Sequence, residues 1–103
     1  MISSGFFNAV YEVIKQVPYG MVITYGQVAR IVGNPRMSRQ VGWALHSNPD
    51  PNNIPCYRVV NRFGEVSEAF AFGGGNRQRE LLTAEGITWD DKGCVNKIHF
   101  VSI

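Results

Sequence analysis

Three clusters of proline, glycine and turn-forming side chains cut this 103-residue chain and limit the length of any helix it can form. They are Pro18-Tyr19-Gly20, Gly33-Asn34-Pro35 and the run from Asn48 to Asn53, which contains two prolines. Each combines a residue that interrupts regular hydrogen bonding with one that favours a turn. Between the cuts, apolar residues recur at helical spacing. Phe6, Phe7, Val10, Val13, Ile14 and Val17 trace one face of a helix predicted over residues 3–17, with Glu12, Lys15 and Gln16 on the wet side. Thr24, followed three residues later by Gln27, forms a capping-box pattern. Behind it Val28, Ala29, Ile31 and Val32 supply a short helix that Gly33-Asn34-Pro35 closes. Another short helix is expected over about 37–46, with Val41, Ala44 and Leu45 turned inward and Arg36, Arg39 and Gln40 exposed. Two short helices joined by a glycine-containing turn have the form of a helix-turn-helix, a weak signal when taken alone.

Past the third cut, Ile54-Pro55-Cys56 leads into Tyr57-Arg58-Val59-Val60. This reads as the first arm of a hairpin that turns at residues 61–64 and returns through 65–67. A hairpin in that place is a wing. Gly73-Gly74-Gly75 precede a helix expected from about Asn76, with Asn76 as its cap, to Ala84, ended by Gly86. A second hairpin is expected around Asp91-Lys92-Gly93. The fold class that follows is α+β, mainly α: a single winged helix-turn-helix domain over residues 1–103 with a short wing hairpin.

Composition narrows the function classes. At 45% hydrophobic and 17% charged, the chain has the make-up of a globular domain able to bury its own core. No apolar run approaches the roughly 18–20 residues that cross a bilayer, and the first residues lack the basic start of a secretory signal. The expected location is the cytoplasm, or the nucleus in a eukaryote, and the expected state is a monomer. A net charge of +2 permits nucleic-acid binding without deciding it. The two cysteines, Cys56 and Cys94, are expected as free thiols. Neither they nor His46 and His99 have the spacing of a metal site, so no metal and no cofactor is expected.

The motifs converge when read in order. Pro18-Tyr19-Gly20, Thr24-Tyr25-Gly26-Gln27-Val28-Ala29, Gly33-Asn34-Pro35, Arg39 and Val41-Gly42 come first. Asn48-Pro49, Ile54-Pro55-Cys56, Arg58-Val59-Val60, Gly64, Gly73-Gly74, Leu81-Leu82 and Glu85-Gly86 follow. Through these, from about residue 5 to residue 87, the chain resembles the C-terminal domain of O6-alkylguanine-DNA alkyltransferases and their non-catalytic relatives, the alkyltransferase-like proteins. The expected organisation is this domain without the separate N-terminal domain of many full alkyltransferases.

The resemblance implies a partner, duplex DNA carrying O6-alkylguanine, bound by its minor groove with the damaged nucleotide flipped out. It implies a nucleophile, Cys56, whose thiolate takes the alkyl group permanently as guanine O6 departs, so that each molecule acts once. A free thiol, with a pKa of about 8.5, needs a base or a lowered pKa to react near neutrality. The family supplies a histidine directly after the cysteine, working through a water and a glutamate. This chain has Tyr57 there, and Glu85 in the glutamate position; a phenol with a pKa near 10 is a poor base at neutral pH. By the same resemblance Asn48 braces the active-site loop and the glutamate, and Tyr25 donates toward the minor-groove nitrogen of the leaving guanine. Arg39 is the finger that fills the gap in the duplex. Arg36, Ser38, Gly42, Gly73 and Gly74 lie at the DNA surface, and Pro55, Arg58, Val59, Ala71 and Phe72 line the base pocket. Two residues more than the usual pattern separate Gly64 from Gly73, and Phe70 and Phe72 there suggest an apolar wall. His46, His99 and Cys94 read as structural or incidental. Two functions remain open: one-turnover transfer to Cys56, and a lesion-binding module that flags alkylguanine for other repair proteins. An ordinary winged-helix transcription factor explains neither the Pro-Cys segment nor Glu85.

Overall fold

The computed structural model describes residues 4–68, 70 and 72–102. It is a mainly helical domain with one short two-stranded sheet. Helix α1, Ser4–Lys15, is the amphipathic segment; Val10 and Ile14 are fully buried, whereas Glu12, Lys15 and Gln16 stay exposed. Strand β1, Ile23–Thr24, runs straight into helix α2, Tyr25–Ile31. The capping box is formed: the Gln27 amide donates to Thr24 Oγ1 at 3.0 Å, and Gln27 Oε1 accepts from the Thr24 amide at 2.9 Å. Those two bonds satisfy helix-end groups that folding would otherwise strand, and they fix where Tyr25 leaves the backbone.

A 3-10 turn, Pro35–Met37, feeds helix α3, Ser38–His46. Val41 and Ala44 of α3 pack with Val28 and Ala29 of α2 and with Val10, Tyr11 and Ile14 of α1. Tyr11 ties the layer together by donating its hydroxyl to the Ala44 carbonyl at 2.8 Å. The three helices thus share one core, and the opposite side of α3 is left facing outward.

Strand β2, Val59–Val60, does not fold back as the arm of a wing hairpin. It pairs in parallel with β1, Ile23 opposite Val59 and Thr24 opposite Val60. Both valines are buried, and a strand covered on both faces suits a central parallel pairing better than an exposed ribbon. The expected return arm is tied back by a single long backbone bond among the described residues, from Asn61, just past β2, to Glu65 at 3.4 Å. In the turn, the Gly64 carbonyl accepts from the Val95 amide at 2.9 Å. Gly64 has φ +85°, and a Cβ there would sit 3.0 Å from Val95 backbone atoms, so the close approach requires glycine.

Helix α4, Gly74–Ala84, starts two residues before the expected cap. Gly73, at φ +129°, turns the chain into the helix, and Asn76 lies inside it. Leu82 of α4 joins Val22, Val60, Ile87 and Val95 in a second apolar cluster. The expected turn at residues 91–93 is present, closed by an antiparallel Trp89–Val95 bridge. The chain then returns beside Val22, whose amide donates to the His99 carbonyl at 2.8 Å and whose carbonyl accepts from Val101 at 2.9 Å.

Candidate functional site

Cys56 opens a one-turn 3-10 helix, Cys56–Arg58, set between Pro55 and β2. It is 4% exposed, and that exposure is toward a cavity of about 470 Å³. This volume falls within the roughly 300–1,000 Å³ of small-molecule sites. Ser38, Arg39 and Gly42 of α3 line the cavity, with Tyr25 from the first turn of α2 and Val59 beside the cysteine. Sequence reasoning had named all of these. Sequence reasoning does not assign Trp43, Leu45, Ser67 or Gln78 to the site and reads His46 as structural or incidental; all five line the same cavity. Phe70, anticipated as an apolar wall, is there as well. The signal that could have found the α3 residues is spacing: His46 follows Gly42 and Ser38 at four-residue steps, and Trp43 follows Arg39 likewise.

Burial pushes the Cys56 thiol above its ordinary pKa, because the thiolate loses solvent. The Asn48 side chain and the backbone amides of Cys56 and Tyr57 oppose that rise in part by donating to the sulfur. Asn48 is itself buried and held by two hydrogen bonds: its Nδ2 donates to the Ile54 carbonyl at 2.9 Å, and its Oδ1 accepts from the Asp50 amide at 2.9 Å. It therefore braces the loop that carries the cysteine; Glu85 is not among these partners. The Tyr25 phenol is also pushed up, first by burial and further by the Cys56 charge, against a hydrogen bond with Ser67. It keeps its proton at neutral pH and faces the cavity as a donor.

Tyr57 and Glu85 meet, but away from the cavity. The Tyr57 hydroxyl donates to Glu85 Oε2 at 2.6 Å, while its ring packs against the second apolar cluster. Burial raises the Tyr57 pKa, and the Glu85 hydrogen bond and charge raise it further. Arg58, expected in the base pocket, lies here too. Its Nη2 and Nε reach Glu85 Oε2 at 2.8 and 3.1 Å, its Nε also reaches Oε1 at 3.0 Å, and its Nη1 donates to the Val17 carbonyl at 2.9 Å. The side chains are 13% and 3% exposed, and a buried carboxylate draws the nearest cation. The Gly20 amide adds a bond to Glu85 Oε1 at 2.9 Å. Burial alone would raise the Glu85 pKa; the bonds from Arg58, Gly20 and Tyr57 outweigh it and hold the carboxyl below its usual range. Glu85 is thus an ionised, fully engaged anion.

The remaining expected residues lie outside the cavity lining. Arg36 is exposed in the 3-10 turn before α3, with its amide bonded to Asn34 Oδ1 at 3.0 Å. Gly73 turns the chain into α4 and Gly74 opens the helix, and Pro55 precedes the cysteine turn without lining the cavity. Phe72 is exposed and meets Phe70 edge-on at 5.8 Å. Ala71 lies outside the described residues.

Residues 5–87 match the family described as 6-O-methylguanine DNA methyltransferase, DNA binding domain, and the chain belongs to that family. It is 41% identical over 83 residues to Alkyltransferase-like protein 1 of Schizosaccharomyces pombe, covering 80% of this chain and 76% of the relative. It is 38% identical over 92 residues to the DNA base-flipping protein of Escherichia coli, covering 89% of this chain and 70% of the relative. The fold matches a crystal structure of S. pombe Atl1 in complex with damaged DNA containing O6-carboxymethylguanine. That match has a TM-score of 0.83 and 31% identity over the full length of both chains.

Proposed function

We propose that this chain binds duplex DNA carrying O6-alkylguanine by the minor groove, turns the damaged nucleotide into the Cys56 cavity, and accepts its alkyl group on Cys56 slowly and irreversibly. The observation that carries this reading is one cavity lined by a cysteine, a protonated phenol and an arginine-bearing helix. The family membership, a base-flipping relative and a relative crystallised on damaged DNA support it. In this reading the architecture is a winged helix-turn-helix: α2 and α3 form the helix pair, and the loop over 61–67 serves as the wing.

The chemistry follows from the residues. A stacked guanine hides its O6 substituent, so the base must leave the helix at a cost of a few kcal/mol. The guanidinium of Arg39, on the exposed flank of α3, fills the gap. Ser38 and Gly42 keep the face of α3 small enough for close approach, and Arg36 and the turn at Gly73-Gly74 meet phosphates. The Cys56 thiolate then attacks the alkyl carbon, the carbon–O6 bond breaks, and its electron pair stays on the purine. Tyr25 donates toward the purine nitrogen as that charge develops. The step is slow because the two residues at the family's relay positions are not free to take the thiol proton: Tyr57 commits its only proton to Glu85, and Glu85 is saturated.

Weighing the peptide that contains Cys56 after incubation with an O6-methylguanine duplex tests transfer. The expected result is one added methyl, absent in Cys56→Ala, with lesion binding kept in that variant. An unmodified thiol on a protein that still binds the lesion tightly would favour the second reading, a lesion-flagging module; the raised thiol pKa favours that reading too. Arg39→Ala is expected to weaken binding to the lesion duplex by about tenfold or more in a gel-mobility titration, as loss of a central arginine contact does. Binding equal to wild type would remove Arg39 from the mechanism.

A further inference from the structure

Trp43 lies one helical turn beyond Arg39, and the two side chains share an outer flank of α3. The inward side of the helix is occupied by Val41 and Ala44, both fully buried. Trp43 lines the cavity edge, yet it remains 50% exposed. The chain's other tryptophan is used differently. The Trp89 indole N–H donates to Thr83 Oγ1 at 3.0 Å, and the Arg79 guanidinium lies 4.1 Å over its ring. Among the described residues, no hydrogen bond or ring contact engages Trp43. A large apolar ring left half in water, beside the residue that enters the duplex, is poorly explained by packing of this chain.

We propose that Trp43 is a second DNA-contacting residue, an apolar wedge that lies against the duplex beside the vacated position while Arg39 fills the gap itself. The inference rests on the reading that the cavity receives a base drawn from duplex DNA. Extrusion leaves the neighbouring base pair with an unstacked face and the groove locally opened. Apolar side chains serve as wedges at such steps, and an aromatic face covers any base because every base has a π-face. The indole carries no charge, so it adds little to binding of intact duplex, where phosphate contacts dominate. Trp43 therefore raises preference for the lesion over undamaged DNA rather than general affinity. His46, on the same cavity, lies about one further turn along α3.

The chain has two tryptophans, so Trp89→Phe leaves Trp43 as the sole indole reporter. Titrating that protein with an O6-methylguanine duplex is expected to quench indole fluorescence, and an equal concentration of undamaged duplex to quench it far less. In gel-mobility titrations Trp43→Ala should bind the lesion duplex roughly tenfold more weakly, with Trp43→Phe close to wild type. Undamaged duplex should bind all three alike. Lesion binding without quenching, or Trp43→Ala binding as wild type, overturns the wedge while leaving the base-flipping reading intact. Failure of the wild-type protein to prefer the lesion duplex overturns both.

Discussion

On the transfer reading proposed above, Tyr57→His is expected to speed alkyl transfer to Cys56 by about 10²–10⁴-fold, the range a positioned general base contributes. The phenol offers one proton and spends it on Glu85 at 2.6 Å. An imidazole has two ring nitrogens, so one can bond Glu85 while the other accepts a proton. The pH profile separates this from a mere change of packing. With a thiol raised by burial and Tyr57 engaged with Glu85, the wild-type rate should climb about tenfold per pH unit through neutrality, following the thiolate fraction. The histidine variant should level off once its imidazole is neutral, near pH 6.5. Single-turnover methyl transfer across pH 5.5–9 measures both. An unchanged rate and slope would locate the slow step in extrusion of the base.

The second large effect is on stability. Arg58→Met is expected to cost about 3–5 kcal/mol, as removal of one partner from a buried pair does. For a domain near 100 residues that is a fall in Tm of roughly 12–30 °C. The variant leaves Glu85, with a 3% exposed side chain, bonded among the described residues to Tyr57 and Gly20 alone. Adding Glu85→Gln should recover much of the loss, because it removes the stranded charge. The pH dependence has a definite sign. In the wild type the lowered Glu85 pKa contributes stability that is complete above the ordinary glutamate range and lost as pH falls through the depressed value. In Arg58→Met the guanidinium's bonds and charge no longer oppose the upward push of burial, so the folded pKa of Glu85 rises from its wild-type level and the stability gained by ionising it shrinks. Thermal melts of the three proteins at pH 4 and pH 7 check both points. A loss under 1 kcal/mol would make the pair incidental.

What could be read from residues alone was local. The capping box joins Thr24 to Gln27 across three positions, so its pattern is visible in the chain and its geometry is present. The α1 stripe is local too. The pairing of β2 was not legible, because its partner Ile23–Thr24 lies 36 positions upstream and the nearer residues 65–67 make an equally plausible arm. Asn76 looked like a cap because asparagine favours that role, but Gly73 supplies the turn and the helix begins earlier. At the site, Cys56, Tyr25 and Arg39 were reachable through the resemblance. The hold of Arg58 on Glu85 was not, since nothing in Pro-Cys-Tyr-Arg indicates which way alternate side chains of a 3-10 turn face. Trp43 was missed because a lone aromatic on a short helix ordinarily belongs to a core.

Gln78 adds one consequence for how this site can vary. Its amide, 1% exposed, donates to the carbonyls of Tyr57 and Val59 at 3.1 and 2.9 Å and accepts from the Ser67 amide at 2.9 Å. One side chain of α4 is thus a crossbeam between the segment that presents the sulfur and the opposite bank of the hollow. The span between those banks is set by the length of a single glutamine. Substitutions that reshape the chamber while leaving Cys56 in place are therefore expected at lining residues the beam does not hold, such as Leu45 and Phe70.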